Sequence, residues 1–245
     1  MATKTNDKQR DSEILARRAA QVQGGAARAA VLGINDGLVS TVCLILGVAA
    51  ATTGGQHAVL VAGFAGLIAG AFSMAAGEWI SVQAQVELFQ GILGDLKKLV
   101  KSDMPLLREN FEAKLRETGM DKRAAQAAAH DMAKKERGFA VLYATQVLGV
   151  NPDELGSPWT AAFSSFALFT VGSLVALAPW FFIGGSTASI ISVVLTALVS
   201  LGVGAYIAKS SGKSLVYGAI RQFLIVLAAS AVTYGIGMLF GVALS

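Results

Sequence analysis

Three side chains whose types and spacing could do chemistry sit inside long apolar runs. Asp36 interrupts one run and Glu78 the next, and Met74 precedes Glu78 by one helical turn. A carboxylate within a bilayer is costly, and by default it marks a functional site. If both runs are helices crossing a membrane in opposite directions, Asp36 lies about 10 Å in and Met74 at roughly the same depth, at about 1.5 Å per residue. A hard carboxylate oxygen and a soft thioether sulfur at one level suit a borderline first-row cation better than Mg²⁺ or Ca²⁺, which take all-oxygen shells. Carboxylates at this depth can also exchange protons as a cation comes and goes. Each residue has a plainer reading as well. Asp36 could cap a helix that starts later, Glu78 could snorkel to the interface beside Trp79, and Met74 could simply pack.

The elements that would position these residues are apolar runs of bilayer-spanning length, about 20 residues each. We read five: Ala29–Thr53, Ala58–Val82, Trp159–Ile183, Ser186–Ala208 and Leu215–Leu244. Gly54-Gly55 and Gly184-Gly185 leave only tight turns, so spans one and two, and three and four, pair as antiparallel hairpins. Gly63, Gly66, Gly70 and Gly77 on span two fit close packing between helices. The chain of 245 residues is 54% hydrophobic and 15% charged, with a mean hydropathy of +0.58. That excludes a disordered chain and argues against a single soluble globule. One Cys and two His exclude a disulfide framework, a Cys-based zinc module and a His-rich cluster. No cleavable signal peptide is expected, because the first 28 residues are polar and the first apolar run is too long.

Charge sets the orientation. Of the 20 Lys and Arg, six lie in residues 1–28, eleven in 83–158, and the rest are Lys209, Lys213 and Arg221. With five spans these regions share one face, which the positive-inside rule makes cytoplasmic. The same distribution accounts for the pI of about 9.3 without nucleic acid. Trp79, Trp159 and Trp180 fall near span ends, as an aromatic belt would place them.

The expected organisation is a cytoplasmic N-terminal tail (1–28), spans one and two (29–82), a cytoplasmic helical segment (83–158) and spans three to five (159–245). The segment reads as three helices, Gln83–Lys101, Met104–Thr118 and Asp121–Leu148. Gly119 is a stop, Asp121 an N-cap and Asn151-Pro152-Asp153 a turn. It is short for an independent core, so a partner is expected to help cover its apolar faces. Two groups of side chains there could hold a cation: Glu109 with Glu112, and His130-Asp131 with Glu136. The alternative for both is a solvated face with salt bridges, such as Glu112 with Arg116.

The stretch Gly33-Ile34-Asn35-Asp36-Gly37-Leu38-Val39-Ser40-Thr41 resembles the first-span signature of the vacuolar iron transporter family of iron and manganese carriers. Ser73 to Val82 resembles the second-span signature. Residues 151–155 with Ser157-Pro158-Trp159, and Arg221-Gln222 with Tyr234-Gly235-Ile236-Gly237, resemble the approach to span three and the last span. The resemblance runs from about Arg28 to near the end.

It implies an all-α membrane protein of five spans with a three-helix cytoplasmic insertion between spans two and three. It also implies a homodimer with span one lining a central path, and Fe²⁺, often Mn²⁺, leaving the cytoplasm in exchange for protons. The family's span-one aspartate, span-two methionine and the glutamate of its Gly-Glu pair map onto Asp36, Met74 and Glu78. The membrane would be a prokaryotic cell membrane by preference, or a vacuolar one in a eukaryote. No resident cofactor is expected.

The insertion departs from the family's glutamate-rich, metal-collecting pattern. Lys97, Lys98 and Lys101 stand in the acidic part of its first helix, and Gln126 replaces an acid. Glu87, Glu109, Glu112, Met132 and Glu136 would form at most a thinned-out site. Two rivals stand beside the carrier reading: a non-transporting protein of the same fold whose insertion docks a partner, and a carrier of another divalent cation. An enzyme such as a di-iron oxidase wants Glu-x-x-His pairs, and none occurs.

Overall fold

A computed structural model describes residues 25–51, 55–150 and 156–244. Every regular element among them is a helix. In chain order they are α1 (Gly25–Ala51), α2 (Gly55–Ser102), α3 (Met104–Glu117), α4 (Lys122–Ala133), α5 (Glu136–Gln146), α6 (Pro158–Leu177) with a 3₁₀ turn at Ala178–Phe181, α7 (Gly185–Ser210) and α8 (Leu215–Leu244). Five of them, α1, α2, α6, α7 and α8, are long and apolar enough to cross a membrane. The expected turn at 151–153 and nearly all of the N-terminal tail lie outside the described residues. The chain divides into two compact units, one of residues 25–80 and 157–244, the other containing residues 81–156.

In the first unit α1 is the helix the others gather on. It runs parallel to α6 so closely that their backbones touch. A Cβ on Gly37 would lie 2.2 Å from the Phe169 carbonyl oxygen, and one on Gly172 2.4 Å from the Ile34 carbonyl oxygen. Hydroxyls stitch the seam: Ser173 Oγ donates to the Gly37 carbonyl at 3.3 Å, Thr41 Oγ1 to Ser173 Oγ at 2.8 Å, and Ser165 Oγ to the Ala29 carbonyl at 3.3 Å. These pairs satisfy polar groups that lipid would leave bare. Gly237 meets the Gly47 backbone between α8 and α1, and Gly204 meets Gly218 between α7 and α8.

The first half of α2 is held differently. Gly63, Gly66 and Gly70 face the side chains of Leu177, Leu44 and Phe169, while Gly77 faces nothing within 4 Å. Aromatic edges supply the rest: Phe64 on Phe181, Phe72 on Phe166 and Trp79 on Trp159. The backbone-close glycines therefore lie on α1, α6, α7 and α8, and span two packs through side chains.

Two expectations need correcting here. Span three does not run as helix to Ile183, because Pro179 lacks an N–H and tightens the chain into a 3₁₀ turn after Leu177. Trp180, in that turn, is 1% exposed and packs with Ile45, Val59 and Leu177. It is a core residue and not part of an aromatic belt.

In the second unit the later part of α2 presents Phe89, Leu96 and Val100 to the interior and Lys97, Lys98 and Lys101 to the outside. Asp103 caps α3 through Leu106 N–H, and Asp121 caps α4 through Arg123 N–H. Gly119, at φ +95°, ends α3: its N–H bonds the Arg116 carbonyl and that of Met120 the Leu115 carbonyl, a Schellman closure. The expected helix over 121–148 is two helices, because Lys134-Lys135 form a turn between α4 and α5. The turn brings Phe139, Ala140, Tyr143 and Ala144 onto Leu96, Val100, Leu107 and Phe111. The unit thus has an apolar core of its own, which the sequence had not led us to expect.

Candidate functional site

The face of α1 that carries Asp36 repeats at four-residue intervals through Ser40 and Leu44. The facing stripe on α2 is Gly66, Gly70 and Met74. Together with Thr41, Ser73 and Phe169 they line one cleft of about 310 Å³. Because α1 and α2 are antiparallel, the two stripes run past each other, and Asp36 and Met74 fall in the same cleft. Helix α1 is unbroken from Gly25 to Ala51, so Asp36 is not a cap. Among the described residues its carboxylate takes no hydrogen bond or ion pair. Ser40 turns its hydroxyl back to the Asp36 main-chain carbonyl. The cleft therefore offers one bare carboxylate, one thioether and the Ser73 hydroxyl, with glycines leaving the floor open. Among the described residues no three His, Cys, Asp or Glu side chains gather as a metal-binding group.

Glu78 continues the α2 stripe one turn beyond Met74, but it does not line the cleft. Its side chain is 8% exposed and its Oε2 lies 3.4 Å from Arg28 Nη2 on α1. Asn35, beside Asp36, accepts a hydrogen bond from Gln222 of α8. In the sequence Arg28 reads only as an orientation charge, and Gln222 only as part of a motif. The signal for Arg28 was its place eight residues, a little over two turns, before Asp36.

The residues of the second unit do not assemble into a cluster. Glu87 is exposed and accepts from Gln83 at 2.8 Å. Glu109 is exposed and Glu112 half-buried on α3. His130 Nδ1 lies 3.5 Å from Arg108, and Asp131 takes a 2.8 Å hydrogen bond from Lys134, whose ammonium holds that carboxyl below its ordinary range. Met132 and Glu136 are exposed.

Comparison with known proteins places the whole chain. The model of the VIT family matches residues 27–238. The chain is 33% identical over 215 residues to the vacuolar iron transporter homolog 1 of Oryza sativa subsp. japonica, covering 87% of this chain and 73% of that protein. It is 33% identical over 222 residues to the vacuolar iron transporter of Acanthamoeba castellanii, covering 88% and 78%. It is 31% identical over 221 residues to the vacuolar iron transporter homolog 2 of Arabidopsis thaliana, covering 87% and 84%. With five membrane-spanning helices and a family match over most of its length, the chain is an integral membrane protein that belongs to the VIT family.

Proposed function

We propose that this protein carries Fe²⁺, and Mn²⁺ with it, out of the cytoplasm in exchange for protons. The observation that carries the reading is the shared cleft of Asp36 and Met74, a bare carboxylate and a thioether at one depth. Oxygen with sulfur suits a first-row cation, and the names of the relatives supply iron. Orientation rests on charge. Arg28, Lys209, Lys213 and Arg221 all fall at one end of the helices, which the positive-inside rule assigns to the cytoplasm. The membrane is vacuolar in a eukaryote and the cell membrane in a prokaryote.

One carboxylate, one thioether and one hydroxyl from one chain leave a first-row cation short of the roughly four to six ligand groups it takes. A second copy presenting the same cleft would supply the rest, which is the homodimer reading. The exposed Leu88, Ile92, Leu99 and Leu106 of the helical unit give such a dimer apolar surface to cover. The unit's scattered acids support a pairing role for it more than a metal store.

The test is Fe²⁺ uptake into proteoliposomes carrying an internal pH dye, for wild type and Asp36→Asn. Uptake with coupled proton movement, lost in a variant that still folds, is the expected result. Uptake that survives Asp36→Asn removes Asp36 from the mechanism. No uptake of Fe²⁺ or Mn²⁺ by folded wild type overturns the carrier reading.

A further inference from the structure

The cleft ends at Met74, but the two stripes that line it continue. On α2 the next residue of the stripe is Glu78, and on α1 the face of Asp36 extends back toward Arg28. These two meet at 3.4 Å. Glu78 is nearly enclosed, while the Arg28 side chain is 64% exposed, so one partner is fixed and the other reaches in from outside. Where the two stripes end beyond the cleft, a carboxylate already holds a protein cation.

We infer that Arg28 is an internal counter-ion which a divalent cation must displace from Glu78 to enter the Asp36–Met74 groove. The inference rests on the cation-transport reading above and adds a selection step to it. A guanidinium carries one positive charge. A monovalent ion gains nothing over it at Glu78, whereas a divalent ion has twice the Coulomb attraction at equal distance. Arg28 is well placed to leave because most of its side chain is already exposed, and swinging outward leaves no buried charge behind on its own side. Glu78 is enclosed and does not follow. The pair is therefore asymmetric: the carboxylate stays and the cation is exchanged.

The experiment compares wild type, Arg28→Gln, Glu78→Gln, the double variant and Arg28→Lys. Each is read by initial rates of Fe²⁺ uptake in proteoliposomes and by calorimetric Mn²⁺ binding to the intact protein in detergent. Arg28→Gln is expected to lower KM and tighten binding about two- to fivefold, the upper part of the range for a half-exposed ion pair. Glu78→Gln leaves an uncompensated guanidinium at the groove and is expected to raise KM by a similar factor. The double variant returns close to wild type. Arg28→Lys keeps the charge and stays near the wild-type KM, which separates a counter-ion from a merely structural side chain.

The inference is overturned if the double variant is as impaired as Glu78→Gln, since Glu78 would then handle the ion without Arg28. It is equally overturned if Arg28→Gln changes neither KM nor Mn²⁺ affinity. If wild type moves no Fe²⁺ but Mn²⁺ binding follows the expected pattern, the transport reading falls and the counter-ion stands. If uptake proceeds and neither readout responds to Arg28, the counter-ion falls alone.

Discussion

Replacing Gly37 with Ala adds one methyl group at the tightest point of the bundle. Its Cβ would sit 2.2 Å from the Phe169 carbonyl oxygen and 3.0 Å from Phe169 Cα, both backbone atoms of α6. Ordinary contact begins near 3.4 Å, so α1 and α6 must separate by about 1 Å locally. A rigid backbone neighbour cannot rotate away as a side-chain end would. Overpacking of this kind costs about 1–3 kcal/mol. The separation also stretches the Ser173 hydroxyl bond to the Gly37 carbonyl, already 3.3 Å long, at a cost of about 1 kcal/mol. Alanine returns up to about 1 kcal/mol through its better helix propensity. The net is a loss of about 1–3 kcal/mol, or several degrees in midpoint at about 2–4 °C per kcal/mol for a chain of this size. The control is Gly202→Ala, where nothing lies within 4 Å of the added methyl and propensity acts alone. Thermal unfolding of both variants, followed by fluorescence-detected size exclusion in one detergent, is the assay. Gly37→Ala melting at or above the Gly202→Ala midpoint would refute the backbone-contact account of the α1–α6 seam.

Two further outcomes follow from the same geometry. Met74→Leu preserves volume but removes the sulfur, so Fe²⁺ KM should rise about tenfold, the low end for loss of a ligand-shell group, with an unchanged melting point; equal KM would make Met74 a packing residue only. Thr41→Val removes the bond that the buried Ser173 hydroxyl accepts and leaves that hydroxyl its bond to the Gly37 carbonyl, so it should cost about 1 kcal/mol, and Thr41→Val with Ser173→Ala should cost less than the two single losses summed in a double-mutant cycle of melting points; additive losses would show that the two hydroxyls do not act as a pair.

Much of the fold was legible because length and apolarity are local properties. A run of about 20 apolar residues is one helix wherever it packs, and Gly119 and Asp121 end and start helices through bonds made within a few residues. What was not legible depends on distant partners. Glycines along span two look like packing surface in the sequence, yet Gly77 faces open space, while Gly37 and Gly172 set the closest approach of α1 to α6. The turn at Lys134-Lys135 carries no Gly or Pro. It exists because Phe139 and Tyr143 reach the apolar face of α2 only if the chain bends there. Trp180 sits at a span end in sequence, but the 3₁₀ turn at Pro179 directs it inward.

The same distinction separates the parts of the candidate site. Asp36 and Met74 could be placed together from depth alone, because each lies on a stripe that repeats every four residues, and two such stripes on antiparallel helices present level residues to one cleft. Depth says nothing about reach. By helix rise Arg28 lies about 12 Å from Asp36 along α1, whereas Glu78 lies only about 6 Å beyond Met74 along α2, so the two backbone positions are not level. The long guanidinium side chain closes that gap, and only a structure shows which carboxylate it finds. Glu78 therefore differs in kind from Asp36. The acid in the cleft is bare and the acid one turn beyond it already holds a cation, so the charge a divalent ion meets on its way in is set by a residue to which depth arithmetic assigns only topology.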